Sequence, residues 1–222
     1  MKKLLLLLLC VPLIGLGQSR YNIDEVTSPN DTLTYLKHDM SLLNGIVYSE
    51  FGDLGMYVYG KKDGLHRAWY NNGQLKWVIN YKDGKEEGLW KSYHENGQLE
   101  AEINYKDGKL EGLWKTYHEN GQLESEENWK DGKEEGLLKW YYKDGQLQLE
   151  GNFKDGKKEG LWKSYHENGQ LEFEENYKDG ELNGFFKWYY ESGQLKFEEK
   201  LKDGYIISKK CWDEEGNKID CE

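Results

Sequence analysis

Residues 88–111 read GLWKSYHENGQLEAEINYKDGKLE, and the chain repeats this unit with small changes from Gly64 to Ile207. The glycine of the Gly-Gln-Leu triplet recurs at Gly73, Gly97, Gly121, Gly145, Gly169 and Gly193, always 24 residues apart. The Asp-Gly glycines (Gly84, Gly108, Gly132, Gly156, Gly180, Gly204) and a third series (Gly64, Gly88, Gly112, Gly136, Gly160, Gly184) keep the same interval. Six units therefore span 64–207. A degenerate unit occupies 45–63, and a truncated capping hairpin closes the chain over 208–222. A fixed period of this length marks a repeat architecture whose units stack on their neighbours.

Each unit carries two turn signals, Asn-Gly (or Asp-Gly, Ser-Gly) and Asp-Gly, which favour two-residue hairpin turns with positive φ. Two such turns leave about twenty residues per unit, enough for two strands of about ten residues each. With Asn96-Gly97 as a turn, His94 faces Leu99, Ser92 faces Ala101, Lys91 faces Glu102 and Trp90 faces Ile103. With Asp107-Gly108 as the next, Tyr105 faces Leu110, Ile103 faces Gly112 and Ala101 faces Trp114. The expected fold is all-β: an elongated single-layer antiparallel β-meander built from 24-residue β-hairpin repeats. At about 9.6 Å per hairpin, six hairpins make a ribbon on the order of 58 Å long.

Side chains alternate faces along a strand, so this register sorts them. One face collects Trp90, Trp114, Trp140, Trp162 and Trp188 with Leu99, Leu123, Leu147, Leu171, Leu195, Phe173 and Phe197. The other pairs Lys91 with Glu102, Lys115 with Glu126, Lys139 with Glu150, Lys163 with Glu174 and Lys187 with Glu198. Tyr93, Tyr117, Tyr141, Tyr165 and Tyr189, with Leu89, Leu113, Leu137, Leu161 and Phe185, fall on the charged face against the pattern. Either a bulge shifts the strand or that face holds its own apolar seam.

Composition agrees with a thin fold. Hydropathy is low, 14% of residues are aromatic, and 26 glycines accompany only 2 prolines. Nine Trp and 17 Tyr are too many for a solvated coil. The net charge of −11 argues against nucleic acid, whose binders carry a basic footprint. Residues 1–17 read as a signal peptide, with Lys2 and Lys3 before the apolar run Leu4 to Leu16 and small residues at Gly15 and Gly17. Cleavage before Gln18 exports the chain to the periplasm or beyond and takes the charge from −11 to −13; a retained or Cys10-lipidated anchor is the competing reading. Residues 18–44 read as a loosely ordered lead-in. Cys211 and Cys221, each five residues from Gly216, are a candidate disulfide in an oxidising compartment, with two free thiols as the alternative.

The stretch EGLWKSYHENGQLEFEENYKDG (159–180) resembles the MORN-repeat variant of bacterial proteins, of the YwqK-type antitoxin family. The likeness runs from Gly64 to Gly204, and the flanks LTYLKHDMSLLNGIVY and CWDEEGNKIDC are similar to that family's ends. The resemblance implies a β-hairpin repeat protein that works as an interaction module, with a toxin as partner.

The residues themselves point the same way. His94, His118 and His166 recur at one repeat position, but hairpin spacing sets them about 9.6 Å apart, too far to share a metal bound at about 2.0–2.1 Å. Tyr142 and Tyr190 replace them elsewhere, as an aromatic packing position permits. Glu100, Glu102, Glu124 and Glu126 are expected on a solvated face opposite lysines, where nothing separates their acidities for acid–base work. No catalytic residue, metal or cofactor is expected.

The aromatic face is the candidate partner-binding surface. Trp90, Trp114, Trp140, Trp162 and Trp188 are its anchors, beside Tyr142, Tyr190, Phe173 and Phe197. Its competing reading is a self-packed core. The expected function is a non-enzymatic exported scaffold for protein–protein interaction in the bacterial envelope. The alternative is a module that binds glycans or lipid headgroups through the same rings.

Overall fold

The computed structural model describes residues 18–29, 32–202 and 205–221. The proposed leader with Cys10, and the Asp203-Gly204 turn, lie outside the described residues. From Lys61 to Trp212 the chain runs back and forth as one antiparallel sheet, each strand pairing with the next. All five expected Lys–Glu partners, Lys91–Glu102 through Lys187–Glu198, stand opposite each other across the strands.

The two turn signals build different turns. Asp107 and Gly108 both have positive φ (51° and 79°), the two-residue type I′ geometry, and Lys106 faces Lys109. The Asn-Gly site is a three-residue loop instead. Gly97 N donates to His94 O (2.8 Å) and His94 N donates to Gln98 O (2.9 Å), while Gly97 alone takes positive φ. Asn96 keeps an ordinary φ because its side chain closes the loop, its Oδ1 accepting from Gln98 N at 2.9 Å.

The longer loop moves the register by one, so Leu99 faces Tyr93 and not His94. A β-bulge at Glu100 then moves it back, and Ala101–Ser92, Lys91–Glu102 and Trp90–Ile103 pair as expected. On the other side of the strand a second irregularity lies at Gly112 (φ 87°). Asn104 faces Glu111, but Glu102 faces Lys115, so two extra residues sit opposite Ile103. The expected pairs Ile103–Gly112 and Ala101–Trp114 are therefore replaced, and Ala101 faces Thr116. A shift of two preserves facing, which is why the side chains still sort.

The described residues of the lead-in form an ordered cap, contrary to the loose segment expected. Arg20–Asn22 pairs in parallel with Gly45–Ser49, the first strand of the sheet, and a single 3-10 turn at Ile23–Glu25 is held by a capping box on Asn22. Leu36, Leu43 and Val47 are buried there against Tyr21, Val26, Leu54 and Tyr57. At the other end Asp213 to Asn217 repeat the three-residue loop of the units. Cys211 faces Ile219, two residues short of the expected partner, and Cys211 is joined to Cys221 by a disulfide with Cα atoms 5.4 Å apart.

Candidate functional site

The five tryptophans expected as one set of anchors occupy two rows. Trp90, Trp114 and Trp162 share a repeat position with His66, Leu138 and Phe186, whereas Trp140 and Trp188 lie two residues further on, where other units carry Ala68, Ser92, Thr116 and Ser164. Trp162 is only 2% exposed. Its ring lies on Gly151, where an added Cβ would come within 2.1 Å of it. Phe153 and Tyr177 meet it edge-on, and Lys158 Nζ sits 4.3 Å above it. Trp162 therefore leaves the set of available anchors.

The other rings also pack on one another. Phe173, Phe186, Trp188 and Phe197 form one cluster, Trp188 stacked on Phe173 (5.7 Å) and Phe197 (6.2 Å). Trp90 and Trp114 are half-buried, and Trp114 leans on Trp129 at 5.7 Å. Trp140 stays 44% exposed. It borders a recess of about 380 Å³ with His118, Glu124 and Glu127.

The bulges reassign two more rows. Leu99, Leu123, Leu147, Leu171 and Leu195 face Tyr93, Tyr117, Tyr141, Tyr165 and Tyr189, on the charged face and not among the tryptophans. Glu100 and Glu124 take their place. Both border one recess with Trp90, Ser92, His94 and Trp114, and the equivalent Glu172 accepts from Ser164 Oγ at 2.7 Å. Only Glu102 and Glu126 of the four carboxylates sit opposite lysines.

The His/Tyr row ties the hairpins together, a role the sequence reading missed. His94 and His118 reach the Tyr117 and Tyr141 carbonyls through Nε2 (2.8 and 3.0 Å), and His166 reaches that of Tyr189 (3.3 Å). Tyr142 and Tyr190 donate their hydroxyls to the Tyr165 and Trp212 carbonyls (2.7 and 3.1 Å). Two further rows do the same. Asn96 Nδ2 donates to Glu119 O (3.1 Å), and Glu87 Oε2 accepts from Asp107 N (3.0 Å), with counterparts in the following units. The legible signal was that His and Tyr alternate at one position; both can hydrogen-bond at the same reach. Among the described residues no group of three or more His, Cys, Asp or Glu is placed to hold a metal ion.

The opposite face resolves the misfit in favour of a separate seam. The Tyr117, Tyr141, Tyr165 and Tyr189 hydroxyls donate to Glu102, Glu126, Glu150 and Glu174 of the preceding unit at 3.0–3.2 Å. Burial, and then the carboxylate acceptor, pushes Tyr141, Tyr165 and Tyr189 up to about 12. Beside this seam runs a row with no cover: Leu65, Leu89, Leu113, Leu137, Leu161 and Phe185 are 38–49% exposed, one per hairpin. Leu89, Leu113, Leu137 and Leu161 stand opposite Asn104, Asn128, Asn152 and Asn176.

A family model described as MORN repeat variant matches residues 62–83, 86–107, 110–131, 134–155, 158–179 and 182–203, more than half of the chain. No curated protein matches. Among solved structures the chain is similar to the GtfA/B complex bound to UDP and GlcNAc at 17% identity, over 75% of this chain and 31% of that one, with TM-score 0.24. It is also similar to accessory secretory protein 1, 2 and 3 of Streptococcus pneumoniae at 16% identity, over 64% and 24%, with TM-score 0.17. The chain thus spans about a third and about a quarter of those two chains, and at these scores neither likeness bears on its function.

Proposed function

This chain belongs to the MORN repeat variant family, and on that premise we propose that it is a non-catalytic scaffold that binds another protein along its ribbon. MORN repeats generally serve in contacts with proteins and lipids. One observation carries the reading: the exposed apolar row from Leu65 to Phe185, repeated in every hairpin. These side chains recur once per hairpin, about 10 Å apart with an asparagine between, and so offer a partner a regular series of anchor points. Six equal contacts in line let a partner accumulate weak interactions along the ribbon. The equivalence of the units also favours binding over catalysis, since the carboxylates and the histidines His94, His118 and His166 recur from unit to unit. An envelope location rests on the leader-like residues 1–17, and a toxin as the partner rests on the resemblance of the repeat.

The test is crosslinking and co-purification of the mature chain from its own cells, read by mass spectrometry. Leu113→Lys, Leu137→Lys and Leu161→Lys are combined in one variant, and Trp90→Ala, Trp114→Ala and Trp140→Ala in another. The expected result is one protein recovered in stoichiometric amount and lost in the leucine variant, whose circular dichroism stays unchanged. Recovery indifferent to the leucine variant refutes this surface. If no protein is recovered and soluble glycans or vesicles quench the Trp fluorescence, the glycan- or lipid-binding reading takes its place.

A further inference from the structure

The two edges of the sheet are finished differently. Arg20–Asn22 and the packed lead-in cover the first. On the last strand, Tyr205–Trp212, the short Lys218–Ile219 strand pairs only with Cys211 and Trp212. Among the described residues no strand pairs with the outer edge of Tyr205 to Lys210. That open edge is apolar in its first half, where Tyr205, Ile206 and Ile207 are 76%, 57% and 55% exposed, and carries Lys209 and Lys210 in its second, each held by a glutamate of its own sheet. An uncovered apolar edge is a template for another strand, and soluble proteins ordinarily blunt such edges.

We propose that Tyr205–Lys209 pairs antiparallel with the same segment of a second copy, joining two ribbons end to end in one continuous sheet. A two-fold axis normal to the sheet at Ile207 sets Ile207 opposite its own copy, Ile206 opposite Ser208 and Tyr205 opposite Lys209. No like charges then stand opposite each other. An isologous contact of this kind closes at two copies. The disulfide-bonded hairpin occupies the outer edge of Cys211 and Trp212 and so limits the pairing to the residues before them.

Charge favours this end over the faces as the place for a second copy. The chain carries −11, and stacking ribbons face to face would bring the two charge sets together along their whole length. End-to-end pairing brings only the terminal hairpins within the Debye length of about 8 Å at physiological salt and leaves the rest of each ribbon beyond it. Five residues give about 17 Å of edge, less than a standard-size interface offers. The dimer therefore forms with rising concentration and is not permanent.

Sedimentation velocity of the mature chain across a wide concentration series tests this. The sedimentation coefficient should rise toward that of an elongated dimer. In the double variant Ile206→Lys, Ile207→Lys it should stay at the monomer value, with the melting temperature unchanged because both side chains are already exposed. The Leu113→Lys, Leu137→Lys, Leu161→Lys variant should dimerise like the parent chain. A parent that stays monomeric throughout, a dimer that survives in the isoleucine variant, or one lost only in the leucine variant overturns the proposal.

Discussion

His66 stands where other units place Trp90, Trp114 and Trp162, and the chain has built a pocket for it. Its ring is 2% exposed between Tyr57 and Tyr81, each edge-on at 5.1 Å. Gly55 supplies the space, since a Cβ there would lie 2.3 Å from Nδ1, and Nε2 donates to Met56 O at 2.7 Å. Burial outweighs the Met56 carbonyl and pushes this imidazole down to about 4. Between about 4 and 6.5 the unfolded chain takes up a proton that the folded chain refuses, so stability rises with pH through that window. It is full above 6.5 and lost toward 4, on the order of 2–3 kcal/mol in all. Melting temperatures measured across that range should show this slope in the parent chain and lose it in His66→Phe; equal slopes in both would refute the assignment. Gly151 makes a sharper prediction. Gly151→Ala forces a Cβ into the Trp162 ring and should cost about 1–3 kcal/mol of unfolding free energy in urea. Neither residue was legible in the sequence, because each departs from the repeat in a way that only its packed neighbours explain.

At the scale of the element, the sequence reading held through two shifts that cancel. A two-residue turn at Asn96-Gly97 and a three-residue loop followed by a bulge at Glu100 give the same register from Ala101 onward. Charge pairing of Lys91 with Glu102 cannot tell them apart. Leu99 and Glu100 can, and both were assigned to the face opposite the one they occupy. A bulge changes facing for only the residues between the loop and itself, too short a run to disturb the pattern of the whole strand. The exposed leucine row shows in the sequence only as apolar residues out of place on the charged face. The staples between hairpins make the element-scale prediction. Tyr142→Phe removes the bond to Tyr165 O and should cost about 1 kcal/mol. His118→Tyr should be nearly neutral while His118→Ala costs about as much as Tyr142→Phe, since either ring can reach the next carbonyl. Urea unfolding checks all three, and an indifferent Tyr142→Phe would show that the row only packs.

The whole molecule is a set of equivalent hairpins held by their neighbours and closed by unlike ends. The repeat period and the all-β single sheet were legible because every unit states them again. The N-terminal cap was not, because 18–44 carries no repeat, and its core of Leu36, Leu43 and Val47 depends on contacts with the first strands. Stability in such a chain is a sum over units and their interfaces, so a unit can be lost without loss of fold. The most direct measurement is small-angle scattering on the chain with residues 109–132 excised, which joins Gly108 to Lys133 and keeps the Asp-Gly turn in frame. The account predicts a folded chain whose maximum dimension is shorter by about 10 Å, two strand spacings. An excised chain that unfolds, or that folds with its length unchanged, would contradict a ribbon of interchangeable hairpins.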